Sequence, residues 1–226
     1  MSDRRSPTYR DLSHPIESGM TTFPGDPTVT ITPAASIDED GVSVHELRCG
    51  SHTGTHIDAP CHTESGGETL EDRAIGEYAF DARLVDATPC EPREPIDEDR
   101  LPSDIADEVD LVVVRTGWDD HWNAESYLDH PYLTPDAAKH LREADCGVAV
   151  DALNPDPSPT GNATADEPDG FPVHGILLGD DLPILENLTG LDGLPERFTL
   201  YAFPLPIVDG DGAPVRAVAA VDSRDP

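Results

Sequence analysis

The chain contains, at positions 51–62, the stretch Ser51-His52-Thr53-Gly54-Thr55-His56-Ile57-Asp58-Ala59-Pro60-Cys61-His62. This stretch places three histidines and one aspartate within eleven residues, although the whole chain has only nine histidines. Gly54 and Pro60 disfavour a continuous helix, so the stretch is predicted to be extended and to end in a turn. We expect the rest of the chain to be organised around this polar cluster.

The spacing of the polar residues indicates a metal site. In an extended segment alternate side chains share a face, so His52, His56 and Asp58 are predicted to point to one side. Imidazole and carboxylate ligands together suit zinc, manganese or iron better than calcium or magnesium. Cys61 has the opposite parity and is interpreted as a packing residue. A plain polar surface loop is the alternative, but it does not account for three histidines in so short a segment.

His62 shares the parity of the proposed ligands but follows Pro60, which interrupts the extended run. Its imidazole is therefore predicted to lie beside the metal, where it can transfer protons as a general acid and base. The alternative is that His62 is a further ligand or a hydrogen-bond partner of Asp58.

The pattern His-x-Gly-Thr-His-x-Asp-x-Pro-x-His resembles the signature of the cyclase family of metal-dependent hydrolases, which includes bacterial kynurenine formamidases and isatin hydrolases. The resemblance extends from Asp11 to Ala219. It implies a swivelling β/β/α architecture and a homodimer or a larger assembly of identical chains. It also implies that His52, His56 and Asp58 bind a first metal ion and that His62 is the acid and base.

The same resemblance implies further site residues. His174 and Glu186 would complete the metal site, with Asp58 shared between two ions; from spacing alone, a core histidine and a surface glutamate are equally good interpretations. Phe23 occupies the aromatic position of a motif that borders the family's substrate pocket. Trp118 follows a predicted buried strand and is expected to form a pocket wall, with a place in the core as the alternative.

Three functions are compatible with these residues. The first is hydrolysis of a small-molecule amide, in the manner of a kynurenine formamidase (arylformamidase), by a metal-activated water that attacks the carbonyl. The second is hydrolysis or formation of a cyclic amide, imide or lactone at the same site. The third is a metal-stabilised binding protein without turnover, which would have no need of His62. The expected cofactor is one or two divalent transition ions per chain, zinc or manganese.

The composition narrows the class of protein. The chain of 226 residues has 46 Asp and Glu against 14 Lys and Arg, and a formal net charge of −32. Such a charge disfavours binding to nucleic acid or to an anionic membrane. The acids are interspersed with apolar segments, and Lys139 is the only lysine, so the chain resembles a folded halophilic protein rather than an acidic tail. No apolar run is long enough to span a bilayer, and a cytoplasmic location is expected.

The sequence predicts one α/β domain over residues 1–226, because short apolar strands alternate with a few helices. A buried strand is predicted at 111–115 and a helix from Pro135 to Arg142, capped by Thr134. A short helix is expected around 103–108. The final segment is predicted to contain a strand at 199–203, a turn at 209–212 and a closing strand at 215–219, and it resembles the family's closing hairpin. The polar segment 154–172 is predicted to be a functional lid or a disordered loop.

Overall fold

The computed structural model describes residues 7–105 and 108–221. The strands, in chain order, are β1 (Thr8–Asp11), β2 (Thr30–Ala35), β3 (Val44–Arg48), β4 (His56–Asp58), β5 (Ala79–Asp86), β6 (Pro95–Ile96), β7 (Leu111–Arg115), β8 (Tyr132–Leu133), β9 (Gly147–Val150), β10 (Ile184–Glu186), β11 (Arg197–Tyr201), β12 (Gly212–Pro214) and β13 (Val218–Val221). The α-helices are α1 (Ile37–Asp40), α2 (Pro135–Glu143) and α3 (Pro172–Leu178).

Nine of these strands form one sheet in the order β1-β13-β11-β5-β7-β9-β10-β4-β12. The four central strands, β5, β7, β9 and β10, run parallel, and the strands on either side pair antiparallel. Strands β2 and β3 pair only with each other, as do β6 and β8, within the described residues. The prediction of a mixed α/β fold is confirmed.

Strand β7 shows why the centre of the sheet is stable. All four of its apolar residues are buried, as expected for a parallel strand covered on both faces. Val112 and Val114 face a hydrophobic cluster that includes residues of α2 and α3. Leu111 and Val113 face a second cluster, built from residues of β4, β5, β9, β11, β12 and β13. Because one cluster connects strands from across the sheet, the sheet curls around it.

Helix α2 begins as predicted. The Thr134 hydroxyl accepts a hydrogen bond from the backbone N–H of Ala137, and Pro135 occupies the first turn, where its missing N–H costs nothing. Helix α3, which carries His174, is not predicted by the sequence analysis because its seven residues follow directly on a long polar segment. Its apolar side chains Val173, Leu177 and Leu178 are buried against the sheet.

The C-terminal region corrects one prediction. In place of a strand at 215–219, the chain forms β12 beside β4 and then crosses to form β13 between β1 and β11. Strand β12 is one edge of the sheet and β13 is the second strand from the other edge, so neighbouring residues of one short segment join distant parts of the sheet. The helix expected around 103–108 includes residues 106 and 107, which lie outside the described residues. In the part of the chain that is described, no helix has the length and apolarity needed to cross a membrane.

The acid excess predicts salt-dependent stability, because like charges on a compact surface repel each other. Salt shortens the screening length from about 10 Å at 0.1 M to about 3 Å at 1 M, so the repulsion weakens. We expect the melting temperature to rise between these concentrations in scanning calorimetry. A melting temperature that stays constant over this range would contradict the halophilic interpretation of the sequence.

Candidate metal centre and active site

Strand β4 provides the centre of the site. It pairs antiparallel with β10 in a register that sets Glu186 opposite His56 and Ile184 opposite Asp58. On its other side β12 places Gly212 opposite Asp58. The strand pairing therefore brings together two residues that lie 130 positions apart in the chain, His56 and Glu186, and both are buried.

The extended run predicted for the motif is only partly correct. Only His56 to Asp58 form a strand, while Gly54 has a positive φ of 62° and turns the chain before it. Because of this turn His52 folds back toward the strand, and its Nδ1 lies 2.7 Å from Asp58 Oδ1. The three residues predicted from their parity are thus brought together, but a turn at glycine rather than strand alternation aligns His52.

Two groups of potential ligands share Asp58. In each group the ligand atoms all lie within 4.8 Å of one another: the first contains His52, His56 and Asp58, and the second contains Asp58, His174 and Glu186. His174 Nε2 lies 3.5 Å from Asp58 Oδ2 and 3.3 Å from Glu186 Oε1. All five predicted ligand residues therefore lie in one cluster, the Asp58 cluster, in which Asp58 is shared by the two ligand groups.

The hydrogen bonding at the centre fits a bound cation. His56 Nε2, Asp58 Oδ2 and Glu186 Oε1 are buried and have no hydrogen-bond partner among the described residues. Buried polar atoms are normally satisfied, and metal ions bound by the two ligand groups would satisfy these three. Burial by itself would lower the pKa of His56, but Asp58 and Glu186 outweigh this effect and raise it to about 10. A cation at this position would replace the proton that these carboxylates attract.

The outer contacts of the histidines fix the direction of their inner nitrogens. His56 Nδ1 lies 2.8 Å from the carbonyl oxygen of Gly54, and His174 Nδ1 lies 2.8 Å from Asp156 Oδ2. Because an imidazole Nδ1–H donates to such acceptors, each Nε2 lone pair is left facing the cluster. Asp156 also accepts the backbone N–H groups of Val173 and His174, which holds the start of α3 in place.

Asp156 is a functional residue that the sequence analysis missed. It lies in the polar segment 154–172, and nothing in its immediate neighbours distinguishes it from the other acids there. A second missed residue is Asp211, whose Oδ2 lies 3.3 Å from His52 Nε2 and 3.9 Å from His62 Nδ1. Asp211 follows Gly210 in a segment that the sequence analysis interpreted as a turn.

His62 lies at the end of a short 3-10 turn, Pro60–His62, and lines the cavity above the cluster. The turn at Pro60 redirects its side chain, as predicted. Its ring centroid is 4.0 Å from that of His52 and 5.7 Å from that of His174. Burial, and then the neighbouring His52, lower the pKa of His62, which favours the neutral base. His62 also forms a third potential ligand group with His52 and Asp211, so both interpretations of His62 have a structural basis.

The cavity has a volume of about 260 Å³. Its wall combines side chains of the Asp58 cluster with aromatic, amide and acidic side chains: Phe23, Asp26, His52, His56, His62, Thr63, Leu153, Asn154, Phe171, His174, Glu186 and Asn187. The rings of Phe23 and Phe171 lie 5.8 Å apart and supply an apolar surface next to the histidines. Phe23 thus lies where the resemblance implied.

Trp118 does not line this cavity. Its side chain is only 4% exposed and belongs to the core cluster beside α2 and α3. Its Nε1 donates a hydrogen bond to the carbonyl oxygen of Tyr127 at 3.1 Å. The expectation that Trp118 forms a wall of the site is therefore replaced by the core position that was its alternative.

The polar segment 154–172 is packed against the protein by Arg93. The guanidinium contacts both Glu167 carboxylate oxygens, Asp129 Oδ1 at 3.2 Å and the carbonyl oxygen of Ser158 at 3.0 Å. The side chains of Arg93 and Glu167 are each 8% exposed. Since Asn154 and Phe171, near the two ends of this segment, both line the cavity, Arg93 stabilises a loop that shapes the site.

We expect Arg93→Met to lower the free energy of unfolding by about 3 kcal/mol, because the substitution leaves the Glu167 carboxylate nearly buried without its partner. Urea denaturation measures this change. Arg142→Met is the matched control, since Arg142 forms an exposed pair with Asp180 at 3.5 Å and should contribute less than about 1 kcal/mol. Equal losses in the two variants would contradict a special role for Arg93.

Comparison with known proteins places the chain in a family. The Cyclase family model matches residues 10–157. A kynurenine formamidase from Bacillus cereus is 33% identical over 212 residues, which cover 92% of this chain and 95% of that relative. The structure of an isatin hydrolase bound to the product analogue thioisatinate superimposes with a TM-score of 0.82 at 26% identity, over 95% of this chain and 92% of the other. A predicted metal-dependent hydrolase from Bacillus stearothermophilus gives a TM-score of 0.75 at 28% identity, over 95% and 98%.

Proposed function

Because the chain belongs to the Cyclase family, we propose that it is a metal-dependent hydrolase of a small-molecule amide, similar to a kynurenine formamidase. The observation that carries this proposal is the Asp58 cluster, whose buried, unpaired nitrogen and oxygen atoms adjoin a cavity with an aromatic wall. The proposed ligands are His52, His56 and Asp58 for one ion and Asp58, His174 and Glu186 for a second. The nitrogen and oxygen donors favour zinc or manganese.

When bound, the metal would supply a Lewis acid that polarises the carbonyl and lowers the pKa of a water molecule. The residues of the chain supply positioning and proton transfer. His62 is proposed to take the proton of the attacking water and to return it to the leaving nitrogen, because it adjoins the cluster and its lowered pKa favours the neutral form. Asp211, 3.9 Å from His62 Nδ1, is proposed to orient the imidazole.

The proposed substrate is an aryl formamide. Phe23 and Phe171 offer flat apolar surfaces on which an aromatic ring can pack, and the histidines next to them leave room for a small polar group such as a formamide. The Bacillus cereus relative is a kynurenine formamidase, and this supports an aryl formamide as the substrate. A cyclic aryl amide is the second candidate, and it is favoured by the structural likeness to an isatin hydrolase.

Turnover assays distinguish these candidates. Metal-loaded protein should hydrolyse N-formylkynurenine, with isatin and a simple cyclic imide as parallel substrates. Hydrolysis of isatin or the imide alone would replace the formamide by a cyclic amide within the same reaction class. Failure to hydrolyse any of the three, in a preparation with full metal content, would contradict the proposed function.

We further propose that the protein is a homodimer or a larger homo-oligomer and that the β2–β3 hairpin contributes to the interface. Every residue of β3 is exposed, including Val44 at 48% and Leu47 at 59%. An isolated two-stranded hairpin is at best marginally stable in water, so a covering surface is expected. Analytical ultracentrifugation tests this proposal, and a monomer at micromolar concentration would contradict it.

A further inference from the structure

Asn187 has an unusual environment for a polar residue. It follows Glu186 directly, lines the cavity and is only 2% exposed. Its backbone adopts a positive φ of 57°, a conformation that few residues other than glycine tolerate and that asparagine tolerates best. Its backbone N–H donates to the carbonyl oxygen of Ala152, and its backbone carbonyl accepts the Thr55 hydroxyl. The main chain is therefore fixed on both sides of the side chain.

The side-chain amide of Asn187 is oriented by Tyr127. The Tyr127 hydroxyl donates a hydrogen bond of 2.9 Å to Asn187 Oδ1. Tyr127 is fully buried, and burial holds its pKa well above the ordinary value, so the hydroxyl keeps its proton and remains a donor. With its oxygen occupied, the amide presents two N–H groups that have no acceptor among the described residues, and the cavity is the space next to them.

Asn154 repeats this arrangement from the neighbouring segment. Its Oδ1 accepts the backbone N–H of Asp156 at 2.7 Å, and its own N–H groups have no acceptor in the described part of the chain. The residue is 5% exposed and lines the same cavity. Since Asn187 is hydrogen-bonded to Ala152, two residues before Asn154, the two amides come from adjacent parts of the wall.

We infer that Asn187, with Asn154 beside it, donates hydrogen bonds to an oxygen atom of the substrate, namely the carbonyl oxygen of the amide that is cleaved. This inference rests on the proposed hydrolase function. Both amides line the cavity with their oxygen atoms already hydrogen-bonded, so their N–H groups are available to donate to a bound substrate. Negative charge grows on the carbonyl oxygen when water adds to the carbon, so donors placed in advance stabilise the transition state more than the bound substrate. Tyr127 is a positioning residue in this scheme.

The test is Asn187→Gly in the metal-loaded protein, because glycine accepts the positive φ without strain. We expect kcat for N-formylkynurenine or isatin to fall by about 10²- to 10³-fold, while KM changes by less than the fall in kcat and the metal content stays constant.

Tyr127→Phe should lower kcat by about tenfold with the same metal content, since the donors remain but lose their fixed orientation. Asn123→Gly is the matched control: Asn123 is exposed, has a φ of 63° and does not line the cavity.

The outcomes separate this inference from the proposed function. The inference is overturned if kcat is unchanged in Asn187→Gly, or if the loss of kcat is matched by a loss of metal. In either case, turnover by the wild type would still support the proposed hydrolase function. If the wild type hydrolyses neither substrate, the proposed function fails, and calorimetric titration with formate tests the donors directly. The inferred donor role of Asn187 is supported if Asn187→Gly binds formate at least tenfold more weakly than the wild type and Asn123→Gly do. Equal affinities of the three proteins for formate would overturn it.

Discussion

Asp58→Asn is expected to abolish metal binding and to lower turnover by at least about three orders of magnitude. Asp58 contributes to both ligand groups and lies within 3.5 Å of the side chains of His52, His56 and His174. An amide of the same shape cannot supply the negative charge or the second ligand oxygen. Losing several kcal/mol of transition-state stabilisation by the metal corresponds to this factor, at 1.36 kcal/mol for each tenfold change.

Elemental analysis and turnover are measured on the same purified sample of Asp58→Asn. Asp136→Asn is the matched control, because Asp136 is an exposed carboxylate that pairs with Lys139 on the surface of α2. The control should keep wild-type metal content and activity. An Asp58→Asn variant that retains both metal content and activity would show that Asp58 does not bind the catalytic metal.

His62→Ala is expected to keep its metal and its fold while turnover falls by about 10²- to 10⁴-fold, the usual contribution of a general acid and base. The opposing interpretation is that His62 binds metal together with His52 and Asp211, whose ligand atoms lie within 4.8 Å of one another. Under that interpretation, metal content and activity decrease together in His62→Ala and also in Asp211→Asn. His121→Ala controls for the loss of an imidazole outside the cavity.

The sequence predicted the parts of the site that depend on local spacing. His52, His56 and Asp58 lie within seven residues, so their meeting required no knowledge of the fold. His174 and Glu186 could not be assigned in this way, because their meeting depends on the pairing of β4 with β10 and on the position of α3. Only the resemblance to the family favoured them as ligands over a core histidine and a surface glutamate.

The residues that the sequence analysis missed act through contacts between distant segments. Asp156 lies 18 positions before His174, and Asp211 lies 149 positions after His62. In a chain with 46 acidic residues, a single carboxylate carries no local signal of its function. The same limit applies to Arg93, whose partners come from two separate segments, around Asp129 and in the polar segment 154–172. Trp118 was assigned to the site although it lies in the core. An aromatic residue that follows a buried strand is compatible with either position.

The fold was predictable to a similar extent. The apolar run of β7 and the Thr134-Pro135 start of α2 follow from intrinsic preferences of the residues, and both are confirmed. The crossing between β12 and β13 was not predictable, because the segment after β11 could extend the sheet at either edge. That choice matters for the site, since β12 brings Asp211 to the histidines.

A metal held by the Asp58 cluster is proposed to be required for amide hydrolysis. The most direct measurement follows one preparation of the wild-type protein through chelation and reconstitution, with metal content by elemental analysis and hydrolysis of N-formylkynurenine and isatin at each stage. We expect one or two zinc or manganese ions per chain, loss of turnover in step with their removal and recovery when either ion is returned. Undiminished turnover by protein that contains no metal would show that the Asp58 cluster does not hold a catalytic metal.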